Sequence, residues 1–178
     1  MEYKSLKHIK LNGTSYSKED IFNLKTEGDS HFTEVIKFLK DWFSDSIEMN
    51  VQTSGSTGKP KQISIPKQSF VESAINTCQF LNLDKNMNAL LCIPVKYIGG
   101  KMMVIRALVV GYNLYVEEPS ANPFTTFKKE IDFLALTPYQ AFVSGTNNKK
   151  ELENTNTVII GGGEINNLFL EVIKKFKN

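Results

Sequence analysis

Arginine is nearly missing from this chain: of its 21 Lys and Arg residues only Arg106 is an arginine, and the net charge is just +2. Bidentate reading of phosphate or guanine therefore has almost nothing to work with, which argues against nucleic acid as a partner. Cysteine is as scarce. Cys78 and Cys92 each lie in an apolar run with no histidine near them in sequence, so neither a disulfide framework nor a zinc site is expected; both read as small buried hydrophobes in a reducing cytoplasm. Long apolar runs are missing too. Ala89–Val95, broken by Pro94, falls far short of the roughly 20 residues that a membrane-spanning helix needs. The opening MEYKSLKHIKLNG lacks the apolar segment of a secretory signal. The two histidines, His8 and His31, lie outside any motif and read as surface or loop residues with no metal pattern around them.

What is present suits a soluble domain. At 178 residues, with 41% hydrophobic and 22% charged side chains, the chain can bury one ordinary core. A short hairpin is expected near Ile9–Tyr16, followed by a helical turn from Ser17. From Ser30, which reads as the cap, the residues Phe32, Val35, Ile36, Leu39, Trp42 and Phe43 recur at helical spacing, which predicts an amphipathic helix with Trp42 in the core. Glu48–Thr53 and Gln62–Ile65 alternate like strands, and a helix fits Lys67–Leu81. Ala89–Ile93 is a continuous apolar run of strand length, as expected where both faces are covered.

The same grammar then repeats. A helix over Lys101–Val110 stops at Gly111, and a strand follows at Asn113–Val116. A short helix is expected near Phe124–Glu130, then a strand at Asp132–Leu136 and a helix from Pro138 to Gly145. Lys149–Asn156 reads as a polar loop, Thr157–Ile160 as a strand and Ile165–Phe176 as a last helix. Strands alternating with helices predict an α/β fold, a layered, largely parallel sheet with flanking helices. Glu117 and Glu118 read as a solvated strand end.

Between the strands at Glu48–Thr53 and Gln62–Ile65 lies the densest run of small residues, Ser54-Gly55-Ser56-Thr57-Gly58-Lys59-Pro60-Lys61. Glycines let backbone N–H groups approach an anion, hydroxyls add donors and lysines add charge, so the composition suits a phosphate cradle. It is not a Walker A loop, because Lys59 is followed by Pro60 and Gly55 and Gly58 are too close. By composition alone it equally describes a plain surface turn.

The order of its residues adds to that reading. TSGSTGKPK resembles the phosphate-binding signature of the adenylate-forming superfamily, which includes acyl-CoA synthetases and peptide-synthetase adenylation domains. The resemblance implies that Ser54, Gly55, Ser56, Thr57, Gly58 and Lys61 contact the β and γ phosphates of ATP while Thr53 positions the loop. Leu90-Leu91-Cys92-Ile93-Pro94-Val95-Lys96-Tyr97-Ile98-Gly99-Gly100 is similar to the family segment whose aromatic residue or histidine lines the acyl pocket, which nominates Tyr97, Gly99 and Gly100. Val158-Ile159-Ile160-Gly161-Gly162-Gly163-Glu164 resembles the turn that packs on adenine, which nominates Gly161, Gly162 and Gly163. Glycines at the carboxyl end of a parallel strand also stand where α/β folds bind ligands.

Within the superfamily, Ile98–Gly111 and the short approach to the phosphate loop resemble the o-succinylbenzoate–CoA ligases of menaquinone biosynthesis. The resemblance runs from about Trp42 onward. It implies ATP, Mg2+ and coenzyme A as reactants with a small carboxylate: an acyl-adenylate forms, and the CoA thiol then displaces AMP. The family's Tyr-Gly-x-Thr-Glu motif, its ribose-binding Asp and its catalytic Lys are not among these residues. No catalytic residue and no metal ligand is therefore assigned within the chain, and the catalytic groups are expected beyond Asn178. Residues 1–178 are accordingly expected to be a partial N-terminal AMP-binding domain without the mobile C-terminal domain, cytoplasmic, and inactive alone. A stand-alone phosphate-binding module, or a ligase for another acid, are the alternative readings. An incompletely covered helix at Leu168–Lys177 would favour a homo-oligomer.

Overall fold

The computed structural model describes residues 1–52, 62–165, 167, 170, 171 and 174. The run Thr53–Lys61, with every phosphate-binding assignment on it, lies outside the described residues, as does Asn178, beyond which the catalytic groups are expected. After a 3-10 turn at Tyr3–Ser5 come two short strands, β1 (His8–Leu11) and β2 (Thr14–Ser17), paired antiparallel across Asn12-Gly13. Both turn residues have positive φ, 51° and 88°, the conformation that a tight hairpin demands and that Asn-Gly meets at least cost. Ser17 ends β2 and caps α1 (Lys18–Asn23): its hydroxyl accepts from the Asp20 N–H at 3.1 Å while the Asp20 carboxylate accepts from the Ser17 N–H at 2.8 Å. The expected cap at Ser30 is also present. Its hydroxyl accepts the Thr33 N–H at 3.2 Å and opens α2 (His31–Trp42), whose Val35, Ile36, Leu39 and Trp42 are buried. Trp42 is core, as the periodicity predicts, with Phe70 edge-on to it at 6.3 Å.

β3 (Glu48–Gln52) and β4 (Gln62–Pro66) form a separate antiparallel pair whose last rung joins Gln52 to Gln62, so the glycine- and hydroxyl-rich run connects two paired strand ends. Next come α3 (Lys67–Phe80), β5 (Asn88–Leu91), α4 (Ile98–Val110), β6 (Asn113–Val116), β7 (Phe133–Leu136), α5 (Pro138–Asn147), α6 (Lys149–Glu153) and β8 (Thr157–Ile160). Gly111 closes α4 in the left-handed region at φ 84°, its N–H bonded to the Ala107 carbonyl at 2.8 Å, the usual way a helix is stopped by glycine. Of the last predicted helix, residues 167, 170 and 171 are helical, and Ile165 and Leu170 are exposed.

The main sheet has six strands in the order β2-β1-β6-β5-β7-β8, parallel throughout except for the β1–β2 hairpin. It is covered on both faces, as the unbroken apolar strands require. Alternate residues divide accordingly: Ala89, Leu91, Phe133 and Ala135 join the core under α2, α3 and α4, while Leu90, Cys92, Leu134 and Leu136 pack with Phe124, Phe127, Ala141 and Leu152. The helix expected at Phe124–Glu130 reduces to one 3-10 turn at Pro123–Thr125. Phe124, Phe127 and Ile131 are buried, but the chain between them lies over the sheet without winding. Conversely the polar run at 149–156 contains α6, held by Leu152 in the core and a Lys149–Glu153 pair at 3.5 Å.

Two buried polar features are testable. Lys67 is wholly buried with its ammonium donating to the carbonyls of Asp41 and Ser44 at 3.1 and 3.3 Å, where it caps the carboxyl end of α2. Replacing it in K67M removes these charge-assisted bonds, although the Asp41 carbonyl keeps the Ser44 N–H and hydroxyl at 3.2 and 2.7 Å, and should lower stability by about 1–3 kcal/mol in urea unfolding. Burial pushes the thiols of Cys78 and Cys92 up to about 11 and about 12, so neither ionises near neutrality. Native protein at pH 8 should leave a disulfide reagent unreduced over minutes, and both thiols should react once urea unfolds the chain; fast titration of the native form would contradict this burial.

Candidate functional site at the carboxyl edge of the sheet

β5 is the first parallel strand in the order of the chain after β1, and its two neighbours are reached in opposite directions. The connection through α4 leads to β6 on one side, whereas β7 and β8 lie on the other. This makes the carboxyl ends of β5 and β7 a topological switch point, the crevice in which open α/β sheets bind ligands. The segments nominated from the sequence as acyl-pocket and adenine-turn residues come to this edge. Tyr97 follows β5, and Gly161, Gly162 and Gly163 follow β8.

Past β5 the chain turns sharply. The Tyr97 N–H donates to the Pro94 carbonyl at 3.1 Å, and the Tyr97 carbonyl accepts the Lys101 N–H at 3.0 Å, the first bond of α4. Tyr97 is the residue before that helix and is half exposed, with the Lys96 ammonium 5.1 Å from its ring centre. The two glycines after it differ. A Cβ on Gly100 would sit 2.7 Å from the Pro94 carbonyl carbon and 2.8 Å from the Ile93 oxygen, whereas one on Gly99 would meet only the Ile93 side chain at 3.8 Å. Gly100 is thus required where α4 backs onto the turn.

Gly161 extends the pairing of β8, its N–H bonded to the Leu136 carbonyl at 3.0 Å, and Gly162 takes φ 79°. All three glycines are exposed. Gly163 faces Pro138, the first residue of α5.

Two residues at this edge carry more structure than their sequence context signals. Gln140 is buried in α5 and its amide donates to the carbonyls of Cys92 at 3.0 Å and Ser120 at 2.8 Å, while its oxygen accepts from the N–H of Thr137 at 3.0 Å. One side chain thereby ties together the chain leaving β5, β6 and β7. His31, expected on the surface, is 4% exposed. Val95 N–H reaches its Nε2 at 3.2 Å and its Nδ1 lies 2.7 Å from the Glu117 carbonyl. An N–H can only donate and a carbonyl only accept, so the ring is neutral with its proton on Nδ1. Glu118 is likewise engaged, its carboxylate accepting the His31 N–H at 2.8 Å. Apart from the local Thr137–Gln140 capping box, the partners of the Gln140 and His31 side chains are backbone groups far away in sequence, which no local pattern announces.

A cleft of about 460 Å3 lined by Tyr3, Lys4, Lys7, Lys18, Trp42 and Asp45 contains none of the nominated residues. Among the described residues no three His, Cys, Asp or Glu side chains come together to hold a metal ion, and no helix is long and apolar enough to cross a membrane.

The two-faced parallel sheet with its switch point is the N-terminal fold of the adenylate-forming enzymes. It superimposes with a TM-score of 0.76 on the AMP-forming acyl-CoA synthetase/AMP-acid ligase II-like protein of Dyadobacter fermentans, at 29% identity over 90% of this chain and 47% of that one. E. coli MenE with a bound phenylether-linked OSB-AMS analogue shares the fold at a TM-score of 0.58 and 21% identity, over 71% of this chain and 27% of that one. In sequence the chain is similar to 2-succinylbenzoate–CoA ligases. That of Geobacillus is 27% identical over 146 residues, covering 79% of this chain and 30% of the relative, and that of Listeria innocua is 25% identical over 142. The chain spans about 30% of the length of these curated relatives. No family profile matches it.

The glycine pair gives a direct test of the turn. G100A should destabilise the protein by about 1–3 kcal/mol because backbone must move to admit the methyl group, while G99A should be neutral or gain up to about 1 kcal/mol from helix propensity. Thermal unfolding of the two variants side by side separates them; equal effects would mean that α4 does not press on the Pro94 carbonyl as described.

Proposed function

We propose that these residues are the N-terminal part of an ATP-dependent acid–CoA ligase that activates o-succinylbenzoate in menaquinone biosynthesis. The observation that carries this is the nine-residue run Thr53–Lys61 connecting β3 to β4, in a chain whose fold and relatives are those of AMP-forming ligases. In this reading Ser54 to Gly58 offer N–H and hydroxyl donors to the β and γ phosphates, and Lys61 offers charge. A carboxylate oxygen of the acid attacks the α-phosphorus; a bond forms there as the bond to the bridging oxygen of pyrophosphate breaks, and pyrophosphate leaves with its electron pair. The thiol of coenzyme A then adds to the acyl carbon, loses its proton, and expels AMP. Such transfers depend on placement and charge neutralisation more than on covalent help from the protein.

The acid would lie at the carboxyl edge against Tyr97, Gly99 and Gly100, with adenine toward Gly161, Gly162 and Gly163. Mg2+ would arrive on the phosphates of ATP and neutralise their charge, and no residue of 1–178 is assigned as its ligand. Because the relatives are so much longer, we place catalysis in a polypeptide of which 1–178 is a partial AMP-binding domain, acting in the cytoplasm. Its catalytic residues would follow Asn178, and by itself the 178-residue chain should be inactive.

ATP–pyrophosphate exchange tests this, run on this chain and on the longest polypeptide that its gene encodes, with o-succinylbenzoate, benzoate and a fatty acid. Exchange by the longer protein with o-succinylbenzoate preferred, lost by at least about 100-fold in a variant with Lys61 and Ser56 both replaced by alanine, is the expected result. Preference for another acid would overturn the substrate, and exchange by the 178-residue chain would overturn both its inactivity and the placement of catalytic residues beyond Asn178. ATP binding without exchange by the longest polypeptide would leave a phosphate-binding module.

A further inference from the structure

We propose that His31 is a positioning residue for the turn Pro94–Tyr97, and that it sets the height of the acyl-site wall through Val95. The functional half of this rests on the reading of Tyr97 given above. The geometry does not. β5 and β6 run parallel until the Glu117 N–H donates to the Leu91 carbonyl at 3.0 Å, the last rung between their chains. Beyond it the two chains part: one turns toward Tyr97 and α4, the other leaves through Glu117 and Glu118.

Val95 is 5% exposed, so its N–H cannot turn to water, and an unpaired buried donor is costly. The imidazole stands in the fork and replaces the missing rung. Nε2 accepts from Val95 on one side, and Nδ1–H donates to the Glu117 carbonyl on the other, at 3.2 and 2.7 Å. The ring cannot slide, because its own backbone N–H is held by the Glu118 carboxylate at 2.8 Å and its neighbours start α2 on the Ser30 cap. A helix, a strand exit and the turn that carries Tyr97 are thus fixed by one planar, fully bonded side chain. Val95 is two residues from Tyr97, so a change of even an ångström at its N–H is passed to the aromatic wall. Placement errors of that size in a substrate site can cost up to about 100-fold in rate.

Two variants divide the ring. In H31Q the longer amide brings an oxygen to where Nε2 stands and keeps the Val95 bond. In H31N the shorter amide keeps donation toward Glu117 and leaves Val95 unpaired. Nitrogen-15 spectra of this chain should show a protonated Nδ1 and an unprotonated Nε2. Amide hydrogen exchange at Val95 and Tyr97 should stay within about threefold of wild type in H31Q and accelerate at least about tenfold in H31N, while both variants lose similar thermal stability.

In the longest encoded polypeptide, H31N should raise KM for the carboxylate about tenfold with KM for ATP unchanged, and H31Q should restore it to within about twofold. A proton on Nε2, or equal exchange at Val95 in the two variants, would overturn the proposal whatever the protein catalyses. If the exchange data hold and both variants bind the acid equally well, the turn is positioned by His31 but is not the wall of the acyl site. If the exchange data hold and no carboxylate is activated at all, it is the proposed function that falls.

Discussion

Parallel strands that leave a sheet in different directions must open a gap at their carboxyl ends, and in this protein that gap is bridged by two buried polar side chains. Gln140 holds the chain beyond β5, β6 and β7 through the carbonyls of Cys92 and Ser120 and the N–H of Thr137. His31 holds the fork between β5 and β6. Both side chains bond to backbone, so each converts a backbone group that would be unsatisfied in a dry place into a fixed strut. The amino edge is treated differently. There the N–H of Asn88 is taken by the Asp132 carboxylate at 2.8 Å, and the Asn113 amide donates to Asn88 at 3.1 Å, a chain of small polar residues that closes the strands together. The sheet is drawn tight at one end and propped open at the other, and the propped end is where the Tyr97 segment and the glycine turn arrive.

Much of the scaffold can be read from the residues before any coordinates. Ser17 and Ser30 cap helices because their hydroxyls reach N–H groups three residues on, a wholly local interaction. Asn12-Gly13 turns the first hairpin for the same kind of reason, and the unbroken apolar runs at β5 and β7 announce a sheet covered on both faces. What stays hidden depends on distant partners. His31 looks like a surface residue because its partners are 86 and 64 positions away; only after the fold is known does its place at the start of α2 put it under Val95. α6 escapes a periodicity reading because a single buried Leu152 supports it, too little for a period to show. Phe124, Phe127 and Ile131 mislead in the opposite sense: their spacing is helical, but the surface they cover is met by a strip of irregular chain.

The candidate site divides in the same way. Residues nominated from the glycine turn and from the Tyr97 segment do converge on one edge of the sheet, and Gly100 has a steric reason to be glycine that its motif alone does not explain. The run Thr53–Lys61, the clearest signal in the sequence, lies outside the described residues, and the structure shows only the strands that it connects. The sequence therefore speaks most plainly about chemistry where the fold says least, and the struts at the carboxyl edge are visible only in three dimensions.

The position of β1 has a consequence in time. It pairs with β6, Lys10 beside Asn113, and its turn is fixed by Asn12 accepting from Val116 at 2.8 Å, 104 residues further along. A ribosome adding about 5–20 residues per second needs on the order of ten seconds to supply that partner. During this interval the first hairpin exists without a sheet to join, while β5, α4 and β6 emerge already adjacent. β1 is thus made well before β6 and seated late, and any shortening of the delay between residues 12 and 116 would change how the nascent chain is exposed, not how the finished protein is built.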